Sequence, residues 1–156
     1  MSVTVETAKL IVGHLKTIVP DVEIRRSYLP FLKPDEFGDD DKIVINVVPF
    51  GRDAERYTQG GMQKHELAID ICINAKLVHR NDEYDALLAE IDELVAFAEK
   101  IYALFLKKVV VNAEHFRATF DQPEHIVLID NDILQKRNCF LSAVRVNAEV
   151  YVKPEV

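Results

Sequence analysis

The sequence predicts an α+β fold: a two-layer sandwich with a mostly antiparallel sheet carrying two helices on one face, in the order α-β-β-β-α-β-β. Three observations predict it. Two separated segments place apolar residues at helical spacing, one near the start and one from Asn81 or Asp82 to about Lys107. Two others, "ELAIDICIN" and "CFLSAVRVNAEVYV", alternate apolar and polar residues with the period of a half-buried strand. The composition, 49% hydrophobic and 29% charged over 156 residues, is that of a globular protein, taken as a single domain spanning 1–156.

The first helix rests on Ala8, Ile11, Val12, Leu15 and Ile18 or Val19, with Ser2 or Thr4 as N-cap and Pro20 past its end. "VEIRRSY" reads as a short strand and "LPFLKPDEFGDDD" as a long loop. "KIVINVVPF" is β-branched and apolar on both faces, a central strand that Pro49 is expected to end. A second long loop, "GRDAERYTQGGM", leads to the alternating strand that carries Leu67, Ile69, Ile71 and Ile73 on one face. In the long helix, Tyr84, Leu87, Leu88, Ile91, Leu94, Val95, Ala98, Ile101, Tyr102 and Phe105 form one stripe. Phe97 and Leu104 lie off that stripe and suggest a second buried face against another subunit. "VVVNAEHFRATF" and "HIVLIDN" read as strands or strand fragments split by a turn at Pro123. The final strand sets Val144, Val146, Ala148, Val150 and Val152 against Arg145, Asn147, Glu149 and Tyr151. One face of the sheet is therefore expected to be apolar under the helices, and the other polar.

Charge and composition exclude several function classes. A net charge of −7, with cations only in short pairs such as Arg25-Arg26, Lys107-Lys108 and Lys136-Arg137, is wrong for a protein that wraps nucleic acid. No apolar run approaches the roughly 18 residues of a membrane helix, and "MSVTVETAKL" lacks a signal peptide's charged head and apolar middle. The chain is expected to stay in the cytoplasm where it is made. Cys72 and Cys139 are too few and too isolated for a disulfide scaffold or a four-ligand zinc site, and are expected as free, partly buried thiols.

The sequence carries no enzyme signature. "HELAI" starts like a zinc-protease motif, but that motif needs a second histidine four residues on, along a helix. Here that position is Ile69 and the local period is two, so His65 reads as an exposed strand residue. His14, His79, His115 and His125 have no ligand-like spacing. Asp39, Asp40 and Asp41 do not continue into a calcium loop, because Ile43 takes a ligand position. Gly60-Gly61 precedes a strand rather than a helix and reads as a turn, not a phosphate cradle. Glu90 with Glu93, and Asp92 with Glu99, fall on the polar side of the long helix. No catalytic, metal or cofactor-binding residue is assigned, and no enzyme activity is expected.

The two long loops stand out instead. One carries Tyr28, Phe31, Leu32 and Phe37, the other Phe50, Arg52, Arg56 and Tyr57, and aromatics with arginines are the side chains that anchor interfaces. Arg52, Arg56, Tyr57, Phe31, Phe37, Phe97 and Leu104 are thus the candidate interface residues.

The succession of short N-terminal helix, strand, Pro-rich loop, "IVINVVP" strand, arginine-bearing loop, "ELAIDICI" strand, long helix and "FLSAVRVNAEVYV" strand resembles the tail terminator (tail-completion) proteins of long-tailed bacteriophages. The likeness covers nearly the whole chain and is one of topology, with no diagnostic motif, so no residue is carried over. It implies a structural protein of the virion tail or neck, assembled in the host cytoplasm. Six copies would form a ring on the tail tube protein, end its polymerisation and meet a head-completion or neck protein. DNA would pass through without specific binding, with no cofactor and no membrane. An acidic channel lining that repels DNA, and two unlike surfaces for a head-to-tail contact, suit that role. Two other readings stay open: another connector or head-completion protein of the neck, and a small-molecule-binding or metal-dependent enzyme whose histidines converge only on folding.

Overall fold

The computed structural model describes residues 2–32, 34–38, 42–57 and 61–153; the side chains of residues 34 and 52–57 lie outside the description, as do Asp39 to Asp41 and Gly60. Among the described residues, three α-helices and six strands follow one another: α1 (Val3–Ile18), β1 (Glu23–Arg26), β2 (Ile43–Tyr57), β3 (Gln63–Lys76), α2 (Tyr84–Leu104), β4 (Val109–Asn112), β5 (Phe116–Val127), α3 (Asn131–Arg137) and β6 (Cys139–Val152). The strands form one sheet in the order β1-β2-β3-β6-β5-β4. The fold is α+β, as expected, but the sheet is mixed and the element order is longer than the one read from the sequence.

The mixed character has a physical cause in the Pro-rich loop. β1 pairs with β2 in parallel, Glu23 opposite Val44 through Arg26 opposite Val47. A parallel neighbour requires the chain to travel back along the sheet before pairing. The segment after β1 does this by crossing the face opposite the long helices. Asn46 and Asn74, 1% and 2% exposed, fix this strap to the sheet. Asn46 Nδ2 donates to Leu29 O at 3.2 Å while its Oδ1 accepts from Arg25 Nε at 3.1 Å. Asn74 Nδ2 donates to Pro30 O at 2.9 Å, and its Oδ1 accepts from Leu32 N–H at 3.1 Å.

The main core lies between the sheet and α1 with α2. Ile45 and Val47 of β2, Leu67 to Ile73 of β3 at alternate positions, and Val144 to Val150 of β6 meet Ala8, Ile11 and Leu15 of α1 and Leu94, Ala98 and Ile101 of α2. Ser2 caps α1, accepting from Val5 N–H at 3.3 Å. The stripe of α2 is narrower than the sequence suggested. Leu87 is buried, whereas Tyr84 and Leu88 are 65% and 41% exposed; Leu88 sits roughly 100° around the helix from Leu87. The helix begins after Glu83, without a side-chain cap, rather than at a cap on Asn81 or Asp82.

On the opposite face a second small core gathers Val48, Cys72, Leu141 and Ala143 under Phe31 of the strap and Ile133 of α3. The face expected to be polar is therefore apolar and covered at one end. α3, which periodicity missed, is set by Asp130, whose carboxylate accepts from Ile133 N–H at 3.0 Å, and ends at Asn138 with φ 51°. Two prolines expected to break strands do not. β2 continues to Tyr57 with bulges at Pro49/Gly51 and Arg52/Ala54, and β5 runs through Pro123 with a bulge after Asp121, where Gln122 takes φ 53°. A bulge absorbs a residue that cannot donate to the ladder.

Replacing Asn74 by Ala strands the Leu32 N–H and the Pro30 carbonyl beneath the strap. Urea denaturation of Asn74→Ala is expected to show a loss of about 1–3 kcal/mol, without breakdown of cooperativity.

Candidate functional site

The surface with the most organised side chains is the uncovered part of the sheet face opposite α1 and α2. It is built by the polar phase of β3, β6 and β5, since alternate residues of a strand face one side. Asp70 and Arg145 stand directly opposite each other in the β3–β6 ladder. They form a bidentate pair, Nε to Oδ1 at 2.8 Å and Nη2 to Oδ2 at 3.1 Å. The guanidinium also lies over the Phe50 ring, 3.2 Å from its centroid, and Phe50 is 61% exposed. The Asp70 carboxylate raises the Arg145 pKa, so this cation is permanent. An exposed aromatic held against a fixed arginine is a preorganised contact, because little side-chain entropy remains to be lost on binding.

Toward the β2–β3 turn, Lys64 lies 3.4 Å from Glu66 and 3.8 Å from Glu149, with its ammonium 5.8 Å from the Tyr151 ring centre. Asn147 Nδ2 donates to Gln122 Oε1 at 3.0 Å across to β5. A depression of about 240 Å³ here is lined by Glu66, Asp121, Gln122, Asn147 and Glu149 among others, and one of about 370 Å³ by Lys108, Arg117, Thr119 and Tyr151 among others. Small-molecule pockets are mostly apolar inside. The first is mainly polar and the second about evenly mixed.

The candidate interface residues fall in three settings. Arg52, Arg56 and Tyr57 belong to the outer half of β2 and not to a loop, in register with Leu67, Lys64 and Gln63; their side chains lie outside the described residues. Phe31 is half-buried in the second core, with the Arg137 guanidinium 4.8 Å above its ring. Phe37 is half-buried just beyond the 3-10 turn Pro34–Glu36. Phe97 and Leu104 are half-buried against the main core, on the flank of α2 opposite Leu88. The sequence reading did not single out Asp70, Lys64 or Arg145. Their polar phase was visible, but which acid meets which base depends on strand register.

The histidines and cysteines are placed by packing. His65 is 2% exposed, not a surface residue; it shares the inward phase of Leu67 and Ile69, the position that alternation itself assigns. His125 is half-buried and stacks on Tyr102, ring centres 4.6 Å apart. His79 Nδ1 meets Glu83 Oε2 at 3.0 Å, while His115 sits in the β4–β5 turn. Burial pushes the Cys72 thiol up to about 12, with Asp70 adding to the shift, and burial also raises Cys139. Neither thiol is an accessible nucleophile near neutral pH. Among the described residues, no group of three or more His, Cys, Asp or Glu is placed to hold a metal ion. Among the same residues no helix is long and apolar enough to cross a membrane.

No protein-family model matches the chain, and no curated protein matches it.

Two imidazoles shift in opposite directions. The hydrogen bond to Glu83 raises His79, and burial lowers His14, which packs edge-on to Phe105. A proton NMR titration is expected to place His79 above and His14 below the ordinary imidazole midpoint. Glu83→Gln should bring His79 back toward that midpoint and leave His14 where it is.

Proposed function

We propose that the chain is a structural phage protein that caps the tail tube as a six-membered ring, ends tube growth and presents the surface to which the head joins. The observation that carries this reading is the long β2–β3 hairpin, strands of 15 and 14 residues, beside an open charged sheet face with α1 and α2 on the other side. A protomer of this kind has two unlike surfaces, which is what a head-to-tail ring requires. The outer half of the hairpin bears Arg52, Arg56 and Tyr57, side chains suited to docking on a tube. The net charge of −7 suits a channel through which DNA slides without sticking.

The test is to add the purified protein to polymerising tail tubes and to image the tube ends. Shorter tubes capped by rings with an open centre are expected. Arg52→Glu combined with Arg56→Glu should keep the fold and weaken attachment by about tenfold or more. Unaltered tube growth, with a mass of 17.8 kDa at every concentration and with tubes present, would rule out the reading. Attachment to the portal side instead of the tube would assign the protein to another position in the neck.

A further inference from the structure

The sheet has two free margins, and they lie on the same rows. β1 covers only Val44–Val47 of β2, so from Pro49 to Tyr57 the outer edge of β2 has no strand beside it among the described residues. At the other margin, β4 pairs with β5 alone among the same residues. The row that starts at Arg56 passes through Lys64, Tyr151 and Arg117 and ends at Asn112. The next two rows join Glu55 to Val111 and Ala54 to Val110 in the same way.

The margins also match in length and direction. Beyond its second bulge β2 runs regularly for four residues, Ala54 to Tyr57, and β4 has four, Val109 to Asn112. Four successive antiparallel pairings separate β2 from β4, so the two strands point the same way. The outward groups of β4 follow from its turn. Ala113 and Phe116 exchange both backbone bonds, at 2.8 and 3.3 Å, so Val111 and Val109 also face β5. In an antiparallel ladder alternate residues turn outward, leaving the N–H and C=O of Val110 and Asn112 on the free edge. Val110 is 44% exposed, and "VVVN" holds neither proline nor charge to discourage pairing.

We propose that Ala54–Arg56 of one copy pairs in parallel with Val110–Asn112 of the next, so that the sheet runs on from subunit to subunit. Each copy offers one edge of each kind, and a rotation that closes the series gives a ring. The inference deepens the ring reading above and rests on it. The second copy is the occupant that matches both edges in length, row and direction at once.

Val110→Pro tests it, because proline removes an N–H that the β4–β5 ladder does not use. Circular dichroism and melting should match the parent, while association, alone or on tail tubes, weakens by about tenfold or more per contact. Asn112→Pro should do the same. Should either variant fail to fold, amide exchange in the parent decides: Val110 and Asn112 should be protected in the assembled particle and fast in the dissociated chain. Rings formed by a folded Val110→Pro variant as readily as by the parent, or fast exchange of both amides in intact rings, would overturn edge pairing and leave the ring standing. A parent that assembles neither alone nor on tubes overturns both.

Discussion

The parallel seating of β1 against β2 is the constraint around which the rest of the molecule is arranged. It obliges the chain to return across the sheet, and that return buries backbone groups which need partners. Asn46 and Asn74 supply them from neighbouring strands. With the strap in place, Phe31 covers Val48 and Cys72, α3 closes over Leu141 and Ala143, and Arg137 rests on the Phe31 ring. The open face is then confined to the half of the sheet toward the hairpin. One buried asparagine in each of β2 and β3 thus decides where this face is closed and where it is open.

Several charges of the open face are partnered groups. Asp70 and Arg145 neutralise one another, and Lys64 sits near two glutamates. A surface of this kind resists indiscriminate sticking while keeping a fixed pattern of hydrogen-bonding groups. Phe50 is the exception, an aromatic held out at 61% exposure by the guanidinium behind it. Such an anchor is the kind of residue that carries a disproportionate share of an interface's energy.

Periodicity made α1, α2, β3 and β6 legible because each presents one clean apolar phase to the main core. Where two influences compete, the sequence is ambiguous. Pro49 and Pro123 read as breaks, yet both sit by bulges inside continuous strands, a choice made by the neighbouring strand. α3 was too short for a periodic stripe, although Asp130 before it and Asn138 after it are recognisable start and stop residues. His65 was misjudged because its chemistry outweighed its phase, while the same alternation that identified β3 places it inside. The parallel β1 and the Asp70–Arg145 pair depend on register between distant segments, which no local pattern encodes.

The position of β6 has a consequence for how the chain comes into being. The last described strand in sequence lies in the middle of the sheet, between β3 and β5. A ribosome delivers it after every other described element. Until it emerges, β1 with β2 and β3 on one side, and β4 with β5 on the other, are two fragments without a common centre. Their inner edges face only solvent or chaperones during that interval. One strand joins both halves, by contacts distant in sequence that slow folding.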